Sequence, residues 1–221
     1  MNHLKRQRVP KNWNIPRKGS VFVMKPSFNL KSSVPLTIVL RDVLGIACTK
    51  REVKKAIHEK NILINNKLAR SEKDSCSLFD IISIVPSKKF YQITLKNNGK
   101  FNVSEIKEED STKKISKIIN KKILKDKKTQ INLSDGRNFL SEIKCDIGDS
   151  AVIGFESEKS SSKILKCLPM KEKSKAIAFA GKHSGKMGII KDINKKDKIA
   201  KLDIGNEDVS ISTKQIMVIE K

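Results

Sequence analysis

Three histidines, four cysteines and one run of acids are the side chains from which acid–base, nucleophilic or metal chemistry would have to be built here. His3 lies in a basic N-terminal stretch, His58 late in a lysine-rich run and His183 inside a glycine-rich segment, so no local sequence sets a nucleophile beside a base. Cys48, Cys76, Cys145 and Cys167 are widely and unevenly spaced, with no Cys-x-x-Cys pair and no neighbouring histidine. That pattern reads as reduced, mostly buried thiols of a cytoplasmic protein, neither a zinc site nor a disulfide framework. Glu108, Glu109 and Asp110 read as anions at a helix start. The expectation is a protein that is not an enzyme, holds no metal, needs no cofactor and takes no small-molecule substrate.

A different chemistry is written in Ala180-Gly181-Lys182-His183-Ser184-Gly185-Lys186-Met187-Gly188, which sets glycines and lysines between two expected strands. Glycines let a backbone come close to phosphate oxygens. It is not a nucleotide-binding P-loop, because Met187 follows Lys186 where Ser or Thr is required and a strand rather than a helix comes next. An ordinary glycine-rich hairpin fits the spacing equally well.

Charge decides the class of partner. Lys and Arg number 47 against 24 Asp and Glu, for a formal net charge of +23. A net charge magnitude of about 2–8 is enough to keep a small domain soluble, so the excess implies a polyanion, held by counterion release at phosphates. The apolar-rich stretches Val34 to Leu40 and Ile81 to Val85 are too short to span a bilayer, which argues against a membrane partner. Seven of the basic residues are arginines, so contacts should be dominated by point charges rather than bidentate forks.

These groups need elements to carry them. Residues 1–33 are basic and broken by Pro10, Pro16 and Pro26, which predicts an arm that orders against its partner, carrying His3, Lys5, Arg6, Arg8, Lys11, Arg17 and Lys18. Trp13, within it, could stack on a base or cap the next module. Ser33 before Pro35 predicts a helix start, and Leu36, Val39, Leu40, Val43 and Leu44 recur at helical spacing up to Gly45. Thr49 with Glu52 forms a capping box for a second helix, with Val53, Ala56 and Ile57 on one face and Lys50, Arg51, Lys54 and Lys55 on the other. Ile62 to Ile64, the turn Asn65-Asn66 and Leu68 predict a hairpin, with Lys67 and Arg70 beside it. Beyond Pro86 the period changes to two: Tyr91, Ile93 and Leu95, the turn Asn97-Asn98-Gly99, then Phe101 and Val103. Strands are expected near 130–133, 138–140, 151–153 and 164–168, and again near 176–179, 188–193, 199–204, 209–211 and 216–219. Over 105–124, Ile115, Ile118, Ile119 and Ile123 satisfy helical spacing while their composition favours a strand, so both remain open.

The glycine segment with its flanks, Ala176 to Gly181 through Gly188-Ile189-Ile190, resembles the KOW motif of ribosomal proteins and of elongation factors. Residues 34 to 70 resemble the alpha-L RNA-binding motif. His3-Leu4-Lys5-Arg6, Pro10-Lys11, Trp13, Ile15-Pro16-Arg17-Lys18-Gly19, Leu40 to Gly45, Asp80 to Ile84, Gln130 to Leu133 and Asp135 to Asn138 together resemble, in order, the archaeal and eukaryotic (e-type) family of small-subunit ribosomal protein four. The chain departs from that family at Lys60, Ala180 and Glu220, where glycine is common, and Lys60 would be strained in a left-handed conformation.

The resemblance implies an α+β, multi-domain chain: a basic extension (1–33), an alpha-L helix-helix-hairpin module (34–88), a central antiparallel β domain (89–172) and an SH3-like KOW barrel (173–221). It implies binding to small-subunit rRNA beside neighbouring small-subunit ribosomal proteins, in the cytoplasm, through the basic residues named above together with Arg41, Trp13 and Gly181, Lys182, His183, Ser184, Gly185 and Lys186. The competing readings are a KOW-type elongation factor, which the alpha-L unit and the arm argue against, and an RNA-modifying enzyme, for which two small β domains leave no room.

Overall fold

The computed structural model describes residues 3–124, 128–141, 143–155, 162–194, 196–205 and 207–220. The chain forms two units. The first takes in the described residues of Met1–Thr94 and Lys100–Thr112, the second those of Leu95–Gly99, Lys113–Phe155 and Ser161–Lys221.

The N-terminal segment is folded, which corrects the expectation of a free arm. Strand β1 (His3–Lys5) pairs antiparallel with β2 (Phe22–Met24). Between them the chain wraps around Arg6, whose Nε donates to the Ser20 carbonyl at 2.7 Å and whose Nη atoms donate to the Pro16 carbonyl at 2.6 Å and the Ser20 hydroxyl at 2.9 Å. Prolines stop this loop from forming its own helical hydrogen bonds, and the guanidinium fork satisfies carbonyls left without partners. Gly19, at φ +138°, makes the wrap possible, since a Cβ there would lie 3.2 Å from the guanidinium carbon. Trp13 is 2 % exposed, and its indole N–H donates to the Ser33 carbonyl at 3.0 Å. The Phe101 amide ties the loop further, donating to the Asn12 carbonyl at 2.7 Å.

Strand β3 (Ser33–Pro35) runs into helix α1 (Leu36–Ile38), which continues as a π-turn over Val39–Val43 and ends before Gly45 at φ +67°. Pro35, not Ser33, is the N-cap. The Ser33 hydroxyl donates to the carbonyls of Phe28 and Asn29, both at 2.7 Å, and is engaged away from the helix start. Helix α2 (Lys50–His58) begins at the expected capping box. After it come β4 (Ile62–Ile64), β5 (Lys67–Leu68), β6 (Ser75–Ser77), β7 (Ile81–Ile84), β8 (Lys89–Leu95) and β9 (Phe101–Ile106). β6 pairs with β3, and the others form one sheet in the order β5-β4-β7-β8-β9. The boundary expected at 88–89 therefore runs inside a sheet: Tyr91, Ile93 and Leu95 turn the buried half of their alternation to the same sheet as Ile62, Ile81 and Ile82.

Asn65 and Asn66 take φ +52° and +58°, the left-handed pair that a two-residue hairpin turn demands. Asn65 is also buried: its amide donates to Asp80 Oδ1 at 2.6 Å and its oxygen accepts from the Ile81 amide at 3.0 Å, so the turn is fastened to the start of β7. Lys60 takes a left-handed conformation, at φ +59°, closing α2 with its amide on the Ile57 carbonyl. A non-glycine residue is disfavoured there by roughly 1–2 kcal/mol, partly offset by the extra freedom glycine has when unfolded. Lys60→Gly should therefore raise unfolding free energy by about 1 kcal/mol, read as a higher denaturation midpoint at unchanged slope; a lower midpoint would contradict it.

In the second unit, β10 (Lys113–Ile123), β11 (Thr129–Leu133), β12 (Asn138–Leu140), β13 (Ser150–Phe155) and β14 (Ser162–Leu168) form an antiparallel sheet in the order β12-β11-β10-β13-β14. The open question over 105–124 is thus answered by a 3-10 turn over Glu109–Thr112, followed by a strand. β15 (Lys175–Ala178), β16 (Met187–Asn194), β17 (Ile199–Ile204), β18 (Glu207–Ser212) and β19 (Ile216–Val218) form a second sheet, ordered β18-β17-β16-β15-β19. One apolar core serves both sheets, joining Val152 and Leu168 to Ala176, Ile190, Leu202, Ile216 and Val218.

β10 carries two lysines inward. Lys114 is 1 % exposed and its ammonium lies 2.6 Å from Asp135 Oδ2, with Arg137 Nε 3.7 Å from the same oxygen. Burial alone would raise the Asp135 carboxyl, yet the Lys114 charge and hydrogen bond hold it below the usual carboxylate range. Among the described residues Lys117 pairs with no carboxylate. It donates to the backbone carbonyls of Thr213 and Ile216 and lies over the Phe179 ring, and burial pushes its ammonium down to about 8.

Candidate nucleic-acid interface

Helix α2 is the most fully built basic surface. Thr49 accepts from the Glu52 amide while Glu52 accepts from the amides of Cys48 at 2.7 Å and Thr49 at 3.4 Å. Those donors hold the Glu52 carboxyl below its ordinary range, so the helix start is anchored by a charged acceptor. Val53 is buried and fixes the rotation of the helix, leaving Lys50, Arg51, Lys54 and Lys55 exposed. Lys50 reaches Glu72 at 3.2 Å and Lys55 reaches Glu59 at 3.8 Å. Lys50 and the Lys54 charge also help hold Glu72 below its ordinary range, after the larger effect of a backbone hydrogen bond. Among the described residues, Arg51, Lys54, Lys67 and Arg70 form no salt bridge. Arg41 donates to Asp42 through one guanidinium edge, Nε at 3.1 Å and Nη2 at 2.7 Å, and brings less free charge than its type implies.

In the second unit the segment 179–186 is a tight loop built on backbone. The Gly185 amide donates to the Ala178 carbonyl at 2.7 Å and the Lys186 amide to His183 at 3.1 Å. Gly181 and Gly185 take φ +87° and +90°, and a Cβ on Gly185 would lie 1.8 Å from the Lys96 carbonyl oxygen. Gly185 is buried, so its role is close packing rather than contact with a ligand. Lys182 is exposed and Ser184 and Lys186 are half-buried; His183 is half-buried, with its Nδ1 buried and unpartnered. The turn Lys96-Asn97-Asn98-Gly99 lies under this loop, with Gly99 placed so that a Cβ would be 3.0 Å from that of Ser184. Sequence reasoning missed this neighbour, because nothing local in residues 96–99 points to a partner more than eighty positions away.

Of the residues expected on the arm, His3, Lys5, Arg8, Lys11, Arg17 and Lys18 are exposed, His3 with its ring edge-on to Phe22 at 4.5 Å. Arg6 and Trp13 are engaged within the fold: the Arg6 guanidinium donates to the loop's own oxygens, and Trp13 is buried with its indole N–H on the Ser33 carbonyl. Lys114 and Lys117 are likewise withdrawn from any partner, and Lys191 is neutralised by Asp203 at 3.2 Å and Asp208 at 2.5 Å. The net charge is therefore unevenly available: α2 with its hairpin, the arm and the glycine loop keep exposed cations, whereas Lys191 on β16 is paired. Among the described residues no group of three or more His, Cys, Asp or Glu is arranged to hold a metal ion, and no helix is long and apolar enough to cross a membrane.

Comparison with known proteins identifies the family. Residues 87–160 match the profile described as ribosomal family S4e, and residues 1–28 match the RS4NT domain. Small ribosomal subunit protein eS4 of Methanospirillum hungatei is 35% identical over 191 residues, covering 86% of this chain and 79% of that protein. The protein of the same name from Nanoarchaeum equitans is 31% identical over 216 residues, covering 93% and 89%. The crystal structure of 30S ribosomal protein S4e from Thermoplasma acidophilum shares the fold, with a TM-score of 0.71 at 23% identity, over 86% of this chain and 95% of that one. Likeness of that extent to the curated relatives, from the arm through both units, makes this chain a member of the ribosomal S4e family.

Proposed function

We propose that this chain is a structural constituent of the small ribosomal subunit in the cytoplasm, binding small-subunit rRNA beside neighbouring ribosomal proteins and catalysing no reaction. The observation that carries the reading is the α2 face, where one buried valine and a capping box hold a row of lysines and an arginine toward solvent. In this reading α1, α2 and the β4–β5 hairpin act as the alpha-L module, the arm reinforces it, and the loop carrying Lys182 and Lys186 acts as a KOW-type contact. Exposed lysines at both places neutralise phosphates, and the counterions so released make the binding strongly salt-dependent.

The test is twofold. In cell lysates the protein should co-migrate with small subunits on sucrose gradients; a wholly free pool would sink the proposal. In vitro, Lys54→Ala and Lys182→Ala should each weaken binding to small-subunit rRNA and flatten the plot of log affinity against log salt by about one unit or less. Both side chains are exposed and free of salt bridges among the described residues, so folding should be unaffected. An unchanged slope would remove that residue from the interface.

A further inference from the structure

The arm, with Lys100, lines a half-open pocket of about 550 Å³ within the first unit. That is the size of sites that take a small organic ligand, usually about 300–1,000 Å³. Its lining separates by chemistry. Val9, Pro10, Ile15 and Pro16 supply an apolar wall, Trp13 borders it, and Lys11, Arg17 and Lys100 bring positive charge. The wall is preformed: two prolines fix their own φ, and Arg6 holds the Pro16 carbonyl at 2.6 Å and the Ser20 carbonyl at 2.7 Å, so the loop has little freedom to collapse. Lys11 and Arg17 are exposed, with no salt bridge among the described residues.

An apolar slot with cations beside it matches a flat, weakly polar ring joined to a phosphate. We infer that this pocket takes one unstacked nucleotide of single-stranded RNA, its base against the proline and isoleucine wall and its phosphate met by Lys11 and Arg17. Base-paired RNA buries its ring faces in the stack and cannot enter, whereas loops and bulges expose theirs. The inference rests on the proposed RNA-binding function, and it assigns the arm recognition of an unpaired base in addition to charge neutralisation.

Trp13 is the only tryptophan in the chain and borders the pocket, so its emission reports occupancy. A single-stranded RNA hexamer should quench that emission saturably, while a blunt RNA duplex bound to the same protein, inorganic phosphate at equal ionic strength and a free nucleoside monophosphate at the hexamer's concentration should not. Lys11→Ala with Arg17→Ala should raise the quenching midpoint about tenfold, as expected for two lost phosphate contacts. Lys201→Ala, which removes an exposed cation on β17 outside the proposed interface, should leave that midpoint within about threefold. Quenching by the duplex, equal saturation by the free nucleotide, or an unmoved midpoint in the double variant would each overturn the inference. So would a silent Trp13 while a mobility shift shows hexamer bound, a result that leaves the proposed function standing. Absence of any RNA binding by mobility shift would overturn both.

Discussion

Asp135→Ala should lower the stability of the second unit by about 3–5 kcal/mol, because it removes the carboxylate that lies 2.6 Å from the buried Lys114 ammonium and leaves that charge less compensated in the interior. A loss of that size corresponds to a fall in melting temperature on the order of 10 °C. The pair is nearly sealed from solvent, with side-chain exposures of 1% and 4%, so the screening that makes surface ion pairs nearly worthless does not apply. Replacing both groups at once, Lys114→Met with Asp135→Leu, should come back close to the parent, since a buried pair is often matched by apolar residues of similar volume. The pH dependence has a defined sign. Asp135 has a folded value below its ordinary 3.8, so its contribution is fully present above that ordinary value and is lost as pH falls through the folded one. Thermal melts of parent and Asp135→Ala, followed by circular dichroism down to pH 2, should converge only at the acid end. Parallel curves over the whole range would show that the carboxylate contributes nothing.

Trp13→Ala should lower the stability of the first unit by about 3–5 kcal/mol, the usual result of emptying a buried aromatic site. The Ser33 carbonyl loses its indole donor as well, and β3 with it loses one tie to the arm. Urea denaturation followed by far-ultraviolet circular dichroism measures this. A change under 0.5 kcal/mol, as for a surface substitution, would mean that the arm is not packed in solution.

What the sequence made legible was local. The capping box at Thr49 and Glu52 and the left-handed turn at Asn65-Asn66 depend on neighbours three residues apart or fewer, and both stand as read. The strands of the last sheet were marked by β-branched runs between glycines and stand within a residue or two. Three features needed partners distant in sequence. Ser33 looked like an N-cap until its hydroxyl was found bonded to Phe28 and Asn29. Residues 105–124 set isoleucines at helical spacing against a strand-favouring composition, and over 113–123 the strand wins because β11 and β13 offer ladders on both sides. Nothing local marks Lys114 and Lys117 as interior residues, and only the folded sheet supplies Asp135 and the carbonyls that admit them to the interior. At the interface the same division holds: α2 was readable from one helix turn, whereas the commitment of Arg6 to its own loop and the seating of Gly185 on Lys96 depend on contacts made only on folding.

The seat of Lys117 orders events during synthesis. Its ammonium is met by carbonyls 96 and 99 positions further along the chain, so the strand that carries it emerges from the translating ribosome long before its acceptors exist. Until Ile216 has been polymerised, that lysine must keep its water and the nascent sheet cannot close over it. Contacts of such long range are slow to form, and the second unit should therefore mature after translation of its last strand.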